Sequence, residues 1–113
     1  MLVKINDREI ETNEICELRI ARGVGGSTEN EYFYVIVGTI KRNFDFKIAF
    51  SNLDIDKEIL NDYIELDKYV KEFKTRLFRD LTELLFSDDP FLDNKIDLQA
   101  RAEFINEMIH NAL

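Results

Sequence analysis

The spacing of apolar side chains changes once along this chain, near residue 51, and that change limits the folds open to it. Before it, apolar and polar residues tend to alternate, most clearly at Phe44, Phe46, Ile48 and Phe50. After it, apolar residues recur every three or four positions. A period of two places side chains on one face of a strand, whereas a spacing of three to four places them on one stripe of a helix. The sequence therefore predicts an α+β fold, with strands first and helices after them.

About four strands are predicted in the N-terminal half, arranged as an antiparallel meander. Residues 1–22 hold two or three short strands. Within them Cys16, Leu18 and Ile20 alternate with polar neighbours, which predicts that these three side chains face the core. The segment 32–40 is apolar on both faces and is predicted to be the central and longest strand. The connections are short, which favours antiparallel pairing over parallel crossovers.

Two or three helices are predicted to pack on one face of that sheet. Asn61-Asp62 is a place where a long apolar stripe divides into a short helix and a longer one, and a last helix is predicted to begin near Asp97. Ser51, Asn52, Asp54 and Asp56 are competing N-caps for the first helix. The same stripes also fit a helical dimer seam, so a homodimer is an open alternative. The long stripe consists of Ile59, Tyr63, Leu66, Val70, Phe73, Leu77, Leu81 and Leu84.

Length and composition favour a single domain that spans residues 1–113. The 113 residues are enough to bury a core without disulfides, and 45% hydrophobic residues are typical of a globular chain. The one cysteine, Cys16, cannot form an intramolecular disulfide, which favours a reducing compartment. Charged residues interrupt every apolar run, so neither a signal peptide nor a membrane span is expected. We therefore expect a cytoplasmic protein that does not bind membranes.

The negative charge of the chain is concentrated in its second half. The net charge is −8: residues 1–50 hold seven Lys/Arg and eight Asp/Glu, whereas residues 51–113 hold eight and fifteen. Such charge repels nucleic acid and anionic membranes, and it attracts basic partners. We therefore expect a protein partner with a basic surface and regard direct nucleic-acid binding as the weaker reading.

Acidic residues around the last helix connection form the candidate partner-binding surface. No calcium-loop spacing is present, and helix N-capping accounts for some of these carboxylates without any ligand. The glycine-rich loop 23–31 is a second candidate contact, although a flexible hairpin loop explains it as well. The residues predicted to bind the partner are Asp88, Asp89, Asp93, Asp97, Glu103, Glu107, Gly25 and Gly26.

Few residues of this chain fit a catalytic role, and we expect no cofactor, no bound metal and no enzyme activity. The glycine loop lacks the Gly-Lys-[Ser/Thr] ending of a phosphate loop. One histidine and one cysteine leave only Cys16 and His110 as a nucleophile and base. Asp45 and Lys47 are the residues that would support enzyme activity. The stretch Asp45-Phe46-Lys47 resembles the Asp/Glu-x-Lys element of metal-dependent nucleases of the restriction-endonuclease type.

The leading hypothesis is a small acidic binding protein that inhibits or sequesters another protein, one with a basic, nucleic-acid-handling surface. In size and charge such a chain is similar to toxin-immunity proteins and to phage inhibitors of host defence. The first alternative is an oligomeric structural or assembly protein of a phage or mobile element. The second alternative is a small Mg²⁺-dependent nuclease.

Overall fold

The computed structural model of the chain describes residues 1–23, 31–86 and 95–112. Within these ranges the strands lie mostly in the first half and the helices in the second, which confirms the α+β prediction. The strands form two three-stranded sheets. The elements are β1 (Leu2–Ile5), β2 (Arg8–Glu11), β3 (Ile15–Gly23), β4 (Tyr32–Thr39), β5 (Asn43–Ala49), α1 (Lys57–Asn61), α2 (Tyr63–Phe86), β6 (Lys95–Ile96) and α3 (Leu98–Asn111).

The larger sheet is an antiparallel meander of β3, β4 and β5, with β4 in the middle as predicted. At nine residues β3 is one residue longer than β4, so the prediction that the central strand is the longest was wrong. Phe33, Val35 and Val37 of β4 are buried, whereas the side chains on its other face are only partly buried. The sheet therefore has one core face and one open face in the described part of the chain.

A β-bulge in β3 corrects the prediction for Cys16. The register between β3 and β4 shifts between Ile15 and Glu17, so Cys16 is the extra residue on its strand. The extra residue breaks the alternation, and as a result the Cys16 side chain is exposed instead of facing the core. Beyond the bulge the alternation holds, with Ile20 buried and Leu18 packed against the core.

The smaller sheet joins the two ends of the chain. Its order is β2-β1-β6, and the β1–β6 pair is parallel, which the prediction of antiparallel pairing throughout did not include. Asn6 lies in the turn between β1 and β2 with φ 51°, a conformation that asparagine tolerates better than most residues. The backbone N–H of Asn6 donates to the Ile96 carbonyl at 2.8 Å, and its side-chain Oδ1 accepts from the Leu98 N–H at 3.0 Å. One turn residue thus fixes both the end of β6 and the start of α3.

Helix α2 lies over the core face of the larger sheet. Phe73 stacks on Phe33 with ring centroids 4.5 Å apart. The predicted division at Asn61-Asp62 is confirmed, because Oδ1 of Asp62 accepts from the first N–H groups of α2. Tyr63 is 80% exposed, so its assignment to the apolar stripe was wrong. The buried residues of α2 are Leu66, Tyr69, Val70, Phe73, Leu77, Leu81 and Leu85.

Burial of this stripe in the core removes it as a dimer seam. Leu66, Phe73 and Leu77 are among the most completely buried side chains, so they cannot also contact a second copy. The rest of the helix exposes charged residues together with four large apolar side chains: Tyr63, Ile64, Phe78 and Phe86. No helix in the described ranges is both long enough and apolar enough to cross a membrane.

Candidate functional site

An acidic cleft lies between the segment that follows β5 and the outer side of α3. Its volume is about 780 Å³. Four carboxylates line it, and no lysine or arginine is among the lining residues. The lining residues are Asn52, Asp54, Asp56, Glu103, Asn106, Glu107, His110 and Asn111.

One wall of the acidic cleft is a short segment in which buried and exposed side chains alternate. Leu53 and Ile55 are buried in the core and anchor the segment there. The Ile55 N–H donates to the Leu53 carbonyl at 3.0 Å, which forms a tight turn at Asp54. Asp54 and Asp56 are exposed and line the cleft. Asp56 is also the N-cap of α1, since its Oδ1 accepts from the Glu58 N–H at 2.9 Å. The alternation places two carboxylates side by side on one wall.

The other wall is one face of α3. Ala102, Ile105 and Ile109 turn into the core, which leaves the neighbouring face of the helix toward the cleft. Glu103 and Glu107 are four residues apart and therefore lie one turn above the other on that face. Both side chains are exposed.

Side chains of α3 fix the opposite wall by bonding to its backbone. Gln99 Nε2 donates to the Asn52 carbonyl at 2.9 Å, and Asn106 Nδ2 donates to the Asp54 carbonyl at 2.9 Å. His110 Nε2 lies 3.1 Å from the same Asp54 carbonyl and donates to it when that nitrogen carries the proton. The two walls are therefore connected by hydrogen bonds and not only by packing.

The buried amide of Asn106 is the centre of this network. Its Oδ1 accepts from the Tyr69 hydroxyl at 2.6 Å. Burial raises the pKa of Tyr69 well above its ordinary value, so the phenol keeps the proton that it donates. Asn106 thus connects α2, α3 and the segment that carries Asp54.

Replacing Asn106 with leucine is expected to lower the free energy of unfolding by about 2 to 4 kcal/mol, because the Tyr69 hydroxyl and Asp54 carbonyl both lose a buried partner. Urea denaturation followed by circular dichroism measures the change. Asn111→Leu is the control, since Asn111 is exposed on the same helix. If Asn106→Leu lowers the free energy of unfolding no more than Asn111→Leu does, the hydrogen bonds of Asn106 do not stabilise the contact between the two walls.

The structure brings together only part of the predicted partner-binding surface. Glu103 and Glu107 lie in the acidic cleft. Asp97 instead caps α3, where its Oδ1 accepts from the Ala100 N–H at 3.1 Å. The remaining predicted residues lie outside the described residues: Asp88, Asp89, Asp93, Gly25 and Gly26.

Sequence reasoning assigned Asp54 and Asp56 only a capping role and gave His110 no part in a site. A signal was present for the two aspartates, since Leu53 and Ile55 alternate with them in the sequence. Their closeness to α3 depends on tertiary packing across about fifty residues, which no local pattern encodes.

Asp45 and Lys47, the residues of the nuclease alternative, are exposed on the open face of β5. The sheet register places Ile36 beside Asp45, and Arg19 beyond it in the same row. The row thus contains the cation of Arg19, whereas a metal-dependent nuclease needs a second carboxylate there. Among the residues that the structure describes, no three His, Cys, Asp or Glu side chains are grouped so that they could hold a metal ion.

Five basic residues lie close together on α2, and three of them pair with carboxylates of the same helix. The five are Lys68, Lys71, Lys74, Arg76 and Arg79. Lys71 pairs with Asp67 at 3.0 Å, and Arg76 pairs with Glu72 at 2.6 Å. Lys68 lies 3.4 Å from a carboxylate one turn earlier. These contacts are the i,i+3 and i,i+4 pairs that are common on an exposed helix face.

Comparisons of this chain with protein-family models, with curated proteins and with solved structures gave no match.

Proposed function

We propose that this chain is a small acidic binding protein that inhibits or sequesters another protein by covering a basic, nucleic-acid-handling surface. The observation that carries the proposal is the acidic cleft, in which four carboxylates and no lysine or arginine surround one concave surface. The proposed role is binding and not catalysis.

Carboxylates on two facing walls suit the side chains of a basic protein. A carboxylate binds an arginine guanidinium through two parallel hydrogen bonds, as a phosphate does, so these groups compete with nucleic acid for the same arginines. Asp54 and Asp56 approach from one wall, and Glu103 and Glu107 from the other. They are not gathered into a metal-binding group, which suits several basic side chains better than one cation.

The surrounding charge strengthens attraction at a distance. Residues 51–113 carry a net charge of −7, from eight Lys/Arg and fifteen Asp/Glu. At physiological salt, charges act over a Debye length of about 8 Å, so the cleft carboxylates attract an approaching basic surface together. Association should therefore be fast and should weaken as salt rises.

The hydrogen-bonded walls also favour affinity. Gln99, Asn106 and His110 hold the backbone at Asn52 and Asp54, so little order has to be created when a partner binds. A preorganised site loses less conformational entropy on binding than a flexible one. We propose that Asp88, Asp89, Asp93 and Asp97 add carboxylates for the same partner, with Gly25 and Gly26 in a second contact.

Neutralising the acidic cleft is expected to weaken binding of a fluorescently labelled arginine-rich peptide by about tenfold or more, since four favourable pairs of a few tenths of a kcal/mol or more are lost. The variant is Asp54→Asn, Asp56→Asn, Glu103→Gln and Glu107→Gln combined. Asparagine is also a good N-cap, so α1 keeps its cap at position 56. Fluorescence anisotropy over a salt series measures affinity, and displacement of a DNA duplex from the peptide measures competition.

The matched control removes the same charge from exposed carboxylates elsewhere: Asp7→Asn, Glu9→Gln, Asp45→Asn and Glu83→Gln. This variant should keep most of the wild-type affinity, and a peptide with citrulline in place of arginine should bind neither protein. Equal weakening in the two variants would show that net charge, and not the cleft, controls binding.

A further inference from the structure

The outer edge of β3 is a long row of backbone hydrogen-bonding groups without a strand beside it in the described part of the chain. The strand is nine residues long and lies at the end of the β3-β4-β5 sheet. Natural proteins usually shorten, bend or cover such an edge, because it can pair with another chain. The bulge at Cys16 bends one end of β3, while the strand from Glu17 to Gly23 stays in regular register.

The charges along this edge are arranged symmetrically about Leu18. Glu17 directly precedes it and Arg19 directly follows it, and both side chains are exposed. We propose that β3 pairs antiparallel with β3 of a second copy, about a two-fold axis that passes through Leu18. In that register Glu17 lies directly opposite Arg19 of the second copy, and the axis repeats the pair.

Other registers that preserve the two faces of the sheet lack this complementarity. Antiparallel pairing keeps one common core face only when the axis passes through a residue, since a shift of one position exchanges the faces. An axis through Arg19 places two arginines opposite each other, which is destabilising. An axis through Ile20 places Arg19 opposite Ala21 and leaves its charge without a partner. The Leu18 register is therefore the one that the charges favour.

A groove beside the edge gives the pairing an apolar side. The groove is about 360 Å³ in volume and runs between β3 and α2. Leu18 and Ile20 are its apolar residues on the strand, and Phe78, which is 45% exposed, is its apolar residue on the helix. Arg19, Lys74 and Thr75 complete the lining. Because the axis passes through Leu18, this groove would face the same groove of the second copy, and Phe78 would gain apolar cover.

The ion pair between Glu17 and Arg19 is weak enough within one copy to be replaced by pairs between two copies. In a single copy Glu17 and Arg19 lie 3.7 Å apart along one strand, with side chains 55% and 62% exposed. An exposed ion pair of this kind contributes little to the stability of the monomer. Exchanging it for two cross-strand pairs therefore costs little. The β3 edge and its groove share no residue with the acidic cleft, so dimerisation and partner binding can be tested independently of each other.

Charge reversal at the edge provides the test. The wild-type chain should sediment as a dimer at micromolar concentration. Glu17→Arg places arginine opposite Arg19 twice across the axis, and we expect the dimer dissociation constant to rise about ten- to a hundredfold. Arg19→Glu should weaken the dimer in the same way, whereas the double variant Glu17→Arg/Arg19→Glu restores opposite charges and should restore the dimer. Sedimentation equilibrium measures all four proteins.

Asp45→Arg is the control, because Asp45 lies on the other edge strand of the same sheet. It should leave the dimer unchanged, while loss of the dimer would indicate packing through the open sheet face. Circular dichroism checks that each variant is folded. A monomeric wild-type chain, a dimer indifferent to both single reversals, or a double variant that stays dissociated would each overturn the proposal.

Discussion

Replacing Phe73 with alanine is expected to lower the free energy of unfolding by about 3 to 5 kcal/mol, the range for removing a fully buried aromatic ring. The Phe73 side chain has no exposed surface. Its ring stacks on Phe33 of the central strand at 4.5 Å and lies 5.9 Å from the ring of Tyr69. The substitution removes contact area and leaves a cavity between α2 and the sheet, because both elements are held by other contacts and cannot close the gap fully.

Guanidinium denaturation with both fluorescence and circular dichroism measures this loss. Phe86→Ala is the matched control, since Phe86 lies on the same helix but is 51% exposed. That control should cost less than about 1 kcal/mol. Similar losses in the two variants would contradict the packing of α2 on the larger sheet.

Replacing Arg22 with methionine is expected to cost about 3 to 5 kcal/mol, because it leaves a buried carboxylate without its charged partner. Arg22 Nη2 donates to Glu31 Oε1 at 2.8 Å, and the Glu31 side chain is only 8% exposed. The same guanidinium also lies 3.8 Å from Asp67 of α2. The pair joins the end of β3 to the start of β4 and connects both to the helix.

Restoring an uncharged pair tests this explanation. The double variant Arg22→Met/Glu31→Leu removes both charges and should recover much of the lost stability, since the desolvation cost of the carboxylate disappears with it. Thermal and chemical denaturation of the two single variants and the double variant complete a double-mutant cycle. If the double variant loses as much free energy of unfolding as the two single variants added together, Arg22 and Glu31 do not stabilise each other.

Regular periodicity explains why much of the fold could be predicted. Phe44, Phe46, Ile48 and Phe50 are all buried, as their alternation indicates. The helix division at Asn61-Asp62 was visible because aspartate is a strong N-cap. Signals of this kind depend on neighbours within one turn or one strand, so a single sequence carries them completely.

The features that could not be predicted depend on contacts between distant residues. Strand β6 has only two residues, too few for any period, and it pairs with β1, about ninety residues away in the sequence. The division of the strands into two sheets follows from that long-range pairing. The bulge at Cys16 is a local exception to an otherwise regular pattern, and no residue type there marks it.

One wall of the acidic cleft could be predicted from the sequence and the other could not, because the second depends on contacts between distant residues. Glu103 and Glu107 stood out as exposed carboxylates on a helix, and the structure places both in the acidic cleft. The opposite wall could not be assigned, because Asp54 and Asp56 are brought next to α3 by tertiary contacts, among them the bonds of Asn106 and His110 to the Asp54 carbonyl. The charge distribution indicated the half of the chain in which the cleft lies, whereas tertiary packing determines which residues line it.

The proposal that the acidic cleft binds a basic surface is tested most directly by nuclear magnetic resonance. Isotope-labelled protein is titrated with the arginine-rich peptide, and the side-chain amides of Asn52, Asn106 and Asn111 report on the cleft from inside. We expect these amides and the backbone of residues 52–56 and 103–111 to shift most, and we expect added salt to reverse the shifts. Shifts that leave these residues unchanged and concentrate elsewhere on the chain would contradict it.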